Sequence, residues 1–359
     1  MNASLGWLIP SLIEGSGGIR EIFHKINALV RHGYECHAYV QQPDPPEAIA
    51  DQIETYYGGS LANLHSGWEL QHDHDLTFAT AWWSAEAVAA APGLHAYLIQ
   101  DYEALFNPMG DAYLTAERSY QLGLHPVTLG RWLPAVLASR FGVRARSFDF
   151  CAETDRYFPL PDRRPEELSV CFIHQPEKPR RCADIGLEAL GLLKKQLPDA
   201  RIYLYGANAP AAVSFDHINL GILHGADINR LYNQTSVGFC LSSSNPSRIP
   251  FEMMAAGLPV VDLWRENNLY DFPEGGVLLA DPSPAALAEA LRCLLLDPAR
   301  RQRMAAFGPG FMKPRSMAVE YAQFLDAVDR LFDGTFLDDL PLVPTPIYRQ
   351  PPVGSALKN

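Results

Sequence analysis

Glu252 stands in the stretch of this chain whose residue types and spacing come nearest to spelling out a binding site. The run from Asn245 to Val261, Asn-Pro-Ser-Arg-Ile-Pro-Phe-Glu-Met-Met-Ala-Ala-Gly-Leu-Pro-Val-Val, reads as loop, short helix, turn and buried strand. Pro250 suits the first turn of a helix, where its missing N–H costs nothing, and Gly257 followed by Pro259 supplies the stop. The preceding run Val237–Leu241 reads as a strand, so the Glu252 carboxylate falls at a carboxyl end, where open α/β sheets bind ligands. That placement points to a nucleotide. A second cluster, His72-Asp-His-Asp75, offers two imidazoles and two carboxylates in four residues. Alternate residues of a strand face one way, so both histidines could reach one ion. A surface turn ahead of the strand at Leu76 explains the cluster equally well, and no metal is assigned.

These groups need strands and helices to hold them. Leu5–Ile9 reads as a first strand, and the turn Glu14-Gly-Ser-Gly-Gly18 leads into a helix from about Ile19 to His32 with Ile22, Ile26, Leu29 and Val30 as its apolar stripe. Glu35–Val40 follows as a second strand, which completes a right-handed βαβ unit. Leu76–Thr80 and His95–Ile99 read as further strands with a helix from Trp82 to Ala91 between them, and Val127–Leu129 and the Phe148 region continue the pattern. The chain changes character between Cys151 and Pro165, where polar residues and prolines mark a boundary. A second alternation then runs through strand Leu168–Ile173, helix Asp184–Leu197, strand Ile202–Tyr205, a helix at Asp227–Gln234, strand Val237–Leu241, the Glu252 helix, strand Val260–Leu263 and helix Pro284–Leu296. The expected division is an N-terminal Rossmann-like domain over 1–152, a second over 153–315, a long amphipathic helix over 316–333 that crosses back, and a proline-rich tail over 334–359.

Bulk properties narrow the function. The 359 residues suit two α/β domains of ordinary size. Net charge is −12, with 8 basic and 16 acidic residues up to position 150 and 21 and 25 beyond it, so neither half is a polyanion binder and nucleic acid is not an expected partner. Any phosphate must be held by a local cluster or by helix N-termini. The six cysteines are scattered without short pair spacing, as in a reduced, cytoplasmic protein. Neither a signal peptide nor a membrane span is expected. A peripheral contact with the inner face of a membrane stays open, and the oligomeric state is not legible.

Two Rossmann-like domains, a Gly-rich first loop and the Pro-Phe-Glu-Met-Met-Ala-Ala-Gly-Leu-Pro-Val-Val segment together resemble the retaining, metal-independent GT-B glycosyltransferases, family four of these enzymes. Within it, Gly17-Gly18-Ile-Arg20, Ala79-Thr-Ala-Trp82, Gln100-Asp-Tyr-Glu103 and Asn245-Pro-Ser247 look like the bacterial rhamnosyltransferase branch of the WsaF type. The resemblance implies two domains facing across a cleft, with the acceptor on the N-terminal side and the donor on the C-terminal side. It implies that Glu252 accepts hydrogen bonds from the ribose of a nucleotide-sugar donor, since a carboxylate offers two oxygens to a vicinal diol. It places backbone N–H groups of Ser247, Arg248 and Ile249 at the diphosphate, with Arg180, Arg181 and Lys178 as cations, and brings His174, Gly17, Gly18 and Arg20 to the donor. Asp101 and Glu103 then stand where an acceptor approaches, as contacts or base. Two positions depart from the family pattern. Ser244 replaces the first of two glutamates, and Gln175 stands where an arginine is usual.

The expected activity is transfer of a sugar, rhamnose or another hexose, from a nucleoside diphosphate to a bacterial surface polysaccharide or glycolipid, with no cofactor. Front-face attack needs orientation and a positive leaving-group site more than a strong base. Two rivals remain. A non-catalytic glycosyltransferase-like partner protein is conceivable from Ser244 and Gln175. An NAD(P)-dependent oxidoreductase is suggested by the Gly-rich loop, but that loop lacks the Gly-x-Gly-x-x-Gly spacing and Gln41-Gln42 replaces the acidic ribose ligand.

Overall fold

The computed structural model describes residues 3–209 and 211–354. The chain forms two compact units, one of residues up to Phe148 joined by Tyr321–Pro344, the other of Asp149–Glu320 joined by the segment from Thr345.

In the first unit seven parallel strands form one sheet: β1 (Ser4–Ile9), β2 (Glu35–Val40), β3 (Asn63–Ser66), β4 (Leu76–Ala79), β5 (Leu94–Ile99), β6 (His125–Leu129) and β7 (Arg146–Phe148), in the order β3-β2-β1-β4-β5-β6-β7. Strands buried on both faces read as continuous apolar runs, and Leu5, Trp7, Leu8, Ile9, Phe78, Leu98 and Ile99 are all but inaccessible. The order reverses direction between β1 and β4, which makes a crevice at their carboxyl ends the natural ligand position.

The helix Met317–Phe332 passes from one unit to the other at Tyr321. In the first unit Phe324 packs against Trp7, Phe78 and Phe148 at centroid distances of 6.2, 5.9 and 5.9 Å. Trp7 and Phe78 stack at 4.1 Å. The following segment is fastened by two arginines near β7: Arg144 donates to the carbonyls of Leu337 and Leu340, and Arg146 to those of Phe336 and Asp338.

In the second unit six parallel strands, β8 (Ser169–Ile173), β9 (Arg201–Tyr205), β10 (Ile218–Asn219), β11 (Val237–Phe239), β12 (Val260–Leu263) and β13 (Val277–Ala280), take the order β10-β9-β8-β11-β12-β13. This is the same doubly wound arrangement, and its reversal falls between β8 and β11. Val170, Phe172, Phe239, Val261 and Leu278 of the sheet meet Leu190, Leu193, Leu287 and Leu291 of the helices Ala183–Gln196 and Pro284–Leu296. Gly186 is required by close approach: a Cβ there would lie 2.3 Å from the Phe172 ring. Part of the proline-rich tail is extended on this unit. Val353 bridges Ala280, and the buried Tyr348 accepts a hydrogen bond from the Leu279 N–H. The last five residues of the tail lie outside the described residues.

The expected α/β class with two Rossmann-like sheets is the observed one. Some elements lie beyond the sequence reading: β3, β10 and β13, and the helices Pro46–Tyr57, Asp111–Ser119, Trp132–Phe141 and Pro298–Met312. The helix expected over Trp82–Ala91 is a 3₁₀ turn at Trp82–Ser84 followed by a short helix, Ala85–Ala89.

Candidate functional site

At the β8/β11 crevice two loops of the second unit meet. After β8 the chain runs through His174, Gln175 and Lys178 into a 3₁₀ turn, Pro179–Arg181, and starts the next helix at Ala183. After β11 it runs through Ser242–Ser247 into the helix Ile249–Ala255 that carries Glu252. The two loops are bonded to each other. Ser243 donates to the Arg180 carbonyl from its N–H at 3.0 Å and from its hydroxyl at 3.2 Å. Arg181 Nη1 donates to Ser242 Oγ at 2.6 Å, and the Ser247 N–H donates to the same oxygen at 3.2 Å.

Electrostatics at this crevice favour an anion. Burial lowers the Lys178 ammonium, and Arg180 and Arg181 lower it further, as three cations on one turn must. His174 is buried, its backbone N–H donates to the Tyr205 carbonyl, and burial shifts its imidazole pKa down, which favours the neutral ring. Glu252 is half-buried, and its charge raises the phenols of Tyr157, Tyr205 and Tyr232, on which burial is the larger influence. Tyr205 and Tyr232 share a hydrogen bond of 2.9 Å between their hydroxyls. The carboxylate therefore sits beside a phenol cluster that sequence reading did not find.

Arg248 turns elsewhere. Its guanidinium donates to Glu320 at 2.6 and 3.1 Å and to the Cys151 carbonyl at 2.7 Å, and Glu320 is fully buried. Its backbone, not its side chain, belongs to the loop beside Glu252. The Ile249 N–H meets Ser247 Oγ at 3.3 Å. Ser244 and Asn245 are buried within the same loop.

In the first unit the β1/β4 crevice gathers the other candidates. Gly15 adopts φ +71°, and Ser16 caps the helix Gly17–His32 by accepting from the Ile19 N–H. Gln100 donates to the Gly18 carbonyl at 3.1 Å, which ties the end of β5 to that helix start. The Arg20 Nε is buried without a hydrogen-bond partner among the described residues. Asp101 Oδ1 accepts from the Tyr102 N–H at 2.8 Å. Glu103 is buried and accepts from the Trp82 N–H at 2.6 Å and the Tyr97 hydroxyl at 3.0 Å. Burial pushes its carboxyl up to about 8 against the pull of those two donors.

The histidine cluster is larger than the sequence suggested. His37, His65, His72 and His74 come together, with ring centroids 5.0 to 6.4 Å apart among the contacting pairs. His74 is held by Ser4 Oγ at 2.8 Å and Tyr39 OH at 3.0 Å, and His37 by His65 at 3.0 Å and Glu35 at 3.1 Å. Among the described residues no group of three or more His, Cys, Asp or Glu is arranged to hold a metal ion. A groove of about 1350 Å³ opens nearby, lined by Ala3, Asn27, Glu35 and Asn63. It lies at the amino ends of β1 and β2, the edge opposite the β1/β4 crevice, so its size carries no weight for the chemistry. No helix among the described residues is long and apolar enough to cross a membrane.

Two doubly wound parallel sheets in one chain, each with its crevice at a strand-order reversal, define the GT-B fold. HepE of Anabaena, solved with UDP, superposes with a TM-score of 0.69 over 92% of this chain and 100% of its own at 13% identity. WaaG, a glycosyltransferase involved in lipopolysaccharide biosynthesis, gives 0.61 over 90% and 99% at 15% identity. Residues 168–292 match the family described as WsaF, C-terminal domain. The fold of this chain is thus GT-B, and within it residues 168–292 are similar to the WsaF C-terminal domain. The O-antigen biosynthesis protein RfbC of Myxococcus xanthus is 29% identical over 314 residues, 83% of this chain and 25% of RfbC. The chain spans about a quarter of the length of that relative.

Proposed function

We propose that this chain is a retaining, metal-independent glycosyltransferase that moves a sugar, rhamnose or another hexose, from a nucleoside diphosphate to a bacterial surface polysaccharide or lipid-linked glycan at the inner face of the membrane. The observation that carries the reading is the joint between the two loops at the β8/β11 crevice. Arg181, bonded to Ser242, puts a guanidinium beside the loop that leads to Glu252. A nucleoside diphosphate needs those two things together, a cationic site for the diphosphate and a carboxylate for the ribose diol. Lys178, Arg180 and Arg181 stabilise the leaving phosphate, Glu252 accepts from the ribose, and Ser247, Arg248 and Ile249 contribute backbone N–H groups, those of Ser247 and Ile249 by exchanging Ser242 Oγ and Ser247 Oγ for phosphate oxygens. Gly17, Gly18 and Arg20 serve the donor from the first unit, and Asp101 and Glu103 the acceptor.

The resemblance to O-antigen and lipopolysaccharide proteins supports the acceptor class, and the HepE complexes with UDP and UDP-glucose make uridine nucleotides the first to test. A thermal-shift screen across nucleoside diphosphates and their sugars identifies the donor. Calorimetry then compares the wild type with Glu252→Ala. Unchanged donor affinity in that variant refutes the assignment of Glu252. Ser244 in place of a family glutamate favours one other reading, a donor-binding partner without turnover. Binding without transfer to any oligosaccharide or lipid-linked acceptor would support that reading instead.

A further inference from the structure

Ser242 is the node at which the second unit's crevice is built. Besides accepting from Arg181 and Ser247 on its hydroxyl, it donates its N–H to Asp262 Oδ1 at 2.9 Å and accepts on its carbonyl from the side-chain amides of Asn267 and Asn268 at 3.0 and 3.3 Å. Asp262 lies in β12 with no exposed surface. Its Oδ1 also accepts from the Leu263 N–H at 2.7 Å, whereas its Oδ2 is buried with no hydrogen-bond partner among the described residues. A buried carboxylate with one bare oxygen is costly, and a proton on that oxygen removes the charge.

We propose that Asp262 is a proton-linked positioning residue for the donor diphosphate, neutral when the donor is bound and drawing the Arg181 charge inward when ionised. The inference rests on the nucleotide-sugar reading above. Asp262 touches no substrate. It acts through Ser242, whose N–H it accepts and whose hydroxyl takes the Arg181 guanidinium.

The charged and titratable groups around Asp262 are few. Arg181 and Cys182 face it from the turn after β8 and Cys240 from just after β11, with Arg265 acting on Cys182 and Glu252 on Cys240. Burial raises the Asp262 carboxyl to about 8, against the pull of the Leu263 and Ser242 N–H groups, Arg181 and the Asn268 amide. A diphosphate placed at Arg181 adds negative charge on the same side and favours the neutral acid still more. Linkage is reciprocal: a proton that strengthens donor binding is itself strengthened by the donor. Donor binding therefore takes up about half a proton at pH 8 and close to none at pH 6.5, and apparent affinity falls about tenfold between pH 7 and pH 9.

The test uses the full chain and UDP-glucose, whose diphosphate does not titrate in this range. Titration calorimetry at pH 8 in buffers of different ionisation enthalpy gives the proton count directly. The expected result is uptake in the wild type and none in Asp262→Asn, with affinity in that variant flat from pH 7 to pH 9. Uptake that persists in Asp262→Asn, or wild-type binding without uptake at pH 8, overturns the proposal while leaving the donor site intact. If Asp262→Asn does not fold, the wild-type proton count and pH profile decide alone. Failure of every nucleotide sugar to bind between pH 6 and pH 9 overturns the nucleotide-sugar reading, and this inference with it.

Discussion

Acidification tests the histidine cluster of the first unit. His74 is 3% exposed, and the space for its ring exists because residue 6 is glycine: a Cβ there would lie 2.5 Å from the ring. Burial first, then the neighbouring His37, His72 and His65, lower its pKa from 6.5 to about 4. Unfolded chain therefore binds a proton below pH 6.5 that the folded unit refuses until about pH 4. The contribution of His74 to stability is fully present above pH 6.5 and is lost as the pH falls through 4. From the two pKa values the loss between pH 7 and pH 4.5 is about 2.5 kcal/mol. His65 is lowered as well and acts in the same direction. Glu103 opposes them, because a carboxyl raised to about 8 gives stability that is present at low pH and lost as the pH rises through 8. The clean measurement is therefore a difference between wild type and His74→Gln. Five of the six tryptophans lie in this unit, so intrinsic fluorescence in urea reports on it. The stability gap between the two proteins should narrow by about 2.5 kcal/mol from pH 7 to pH 4.5. A gap that stays constant across that range refutes the reasoning.

Four further outcomes can be checked. Arg248→Ala leaves Glu320 buried without its guanidinium and should cost about 3 kcal/mol in denaturant unfolding, whereas a loss below about 1 kcal/mol would mean that Glu320 finds other support. Phe324→Ala should destabilise the first unit by about 3 to 5 kcal/mol, read as early loss of tryptophan fluorescence with the second unit still helical by circular dichroism. Glu103→Gln keeps acceptors for Trp82 and Tyr97 but cannot ionise, so its stability relative to wild type should rise as the pH goes from 4.5 to 8, and a flat difference counts against a buried, neutral acid. Arg181→Ala should weaken donor affinity by about tenfold or more in calorimetry, with Arg181→Lys intermediate because a point charge replaces a planar fork; equal affinities would remove Arg181 from the site.

What the sequence disclosed and what it withheld divide along physical lines. Central strands such as β1 and β12 are buried on both faces and announce themselves as apolar runs. β3, at the sheet edge, has half-buried Asn63, Leu64 and His65 and an exposed Ser66, so no apolar run marks it. The helix Trp132–Phe141 is apolar nearly all round, and an apolar run without a period carries no helical signature. At the crevice, Glu252 is legible because proline, carboxylate and glycine sit within one short segment. The Ser242 node is not, since its partners lie 61 residues back at Arg181 and 20 residues on at Asp262. Arg248 was legible as a cation beside the loop, but its partner Glu320 lies 72 residues further along, and nothing local specifies which way the side chain turns.

The first unit's dependence on Tyr321–Pro344 has a consequence for synthesis on the ribosome. Trp7, Phe78 and Phe148 emerge early, but the ring that covers them belongs to Phe324, and Tyr34 waits for Asp329, 295 residues later, to receive its hydroxyl at 2.5 Å. While Asp149–Glu320 is being translated, on the order of 10 to 30 s at ordinary elongation rates, the nascent first sheet keeps an aromatic face open to water. The second unit has no such delay apart from the segment beyond Thr345. The aromatic core of the first unit is therefore completed only once the helix beginning at Met317 has been made, after the whole of Asp149–Glu320.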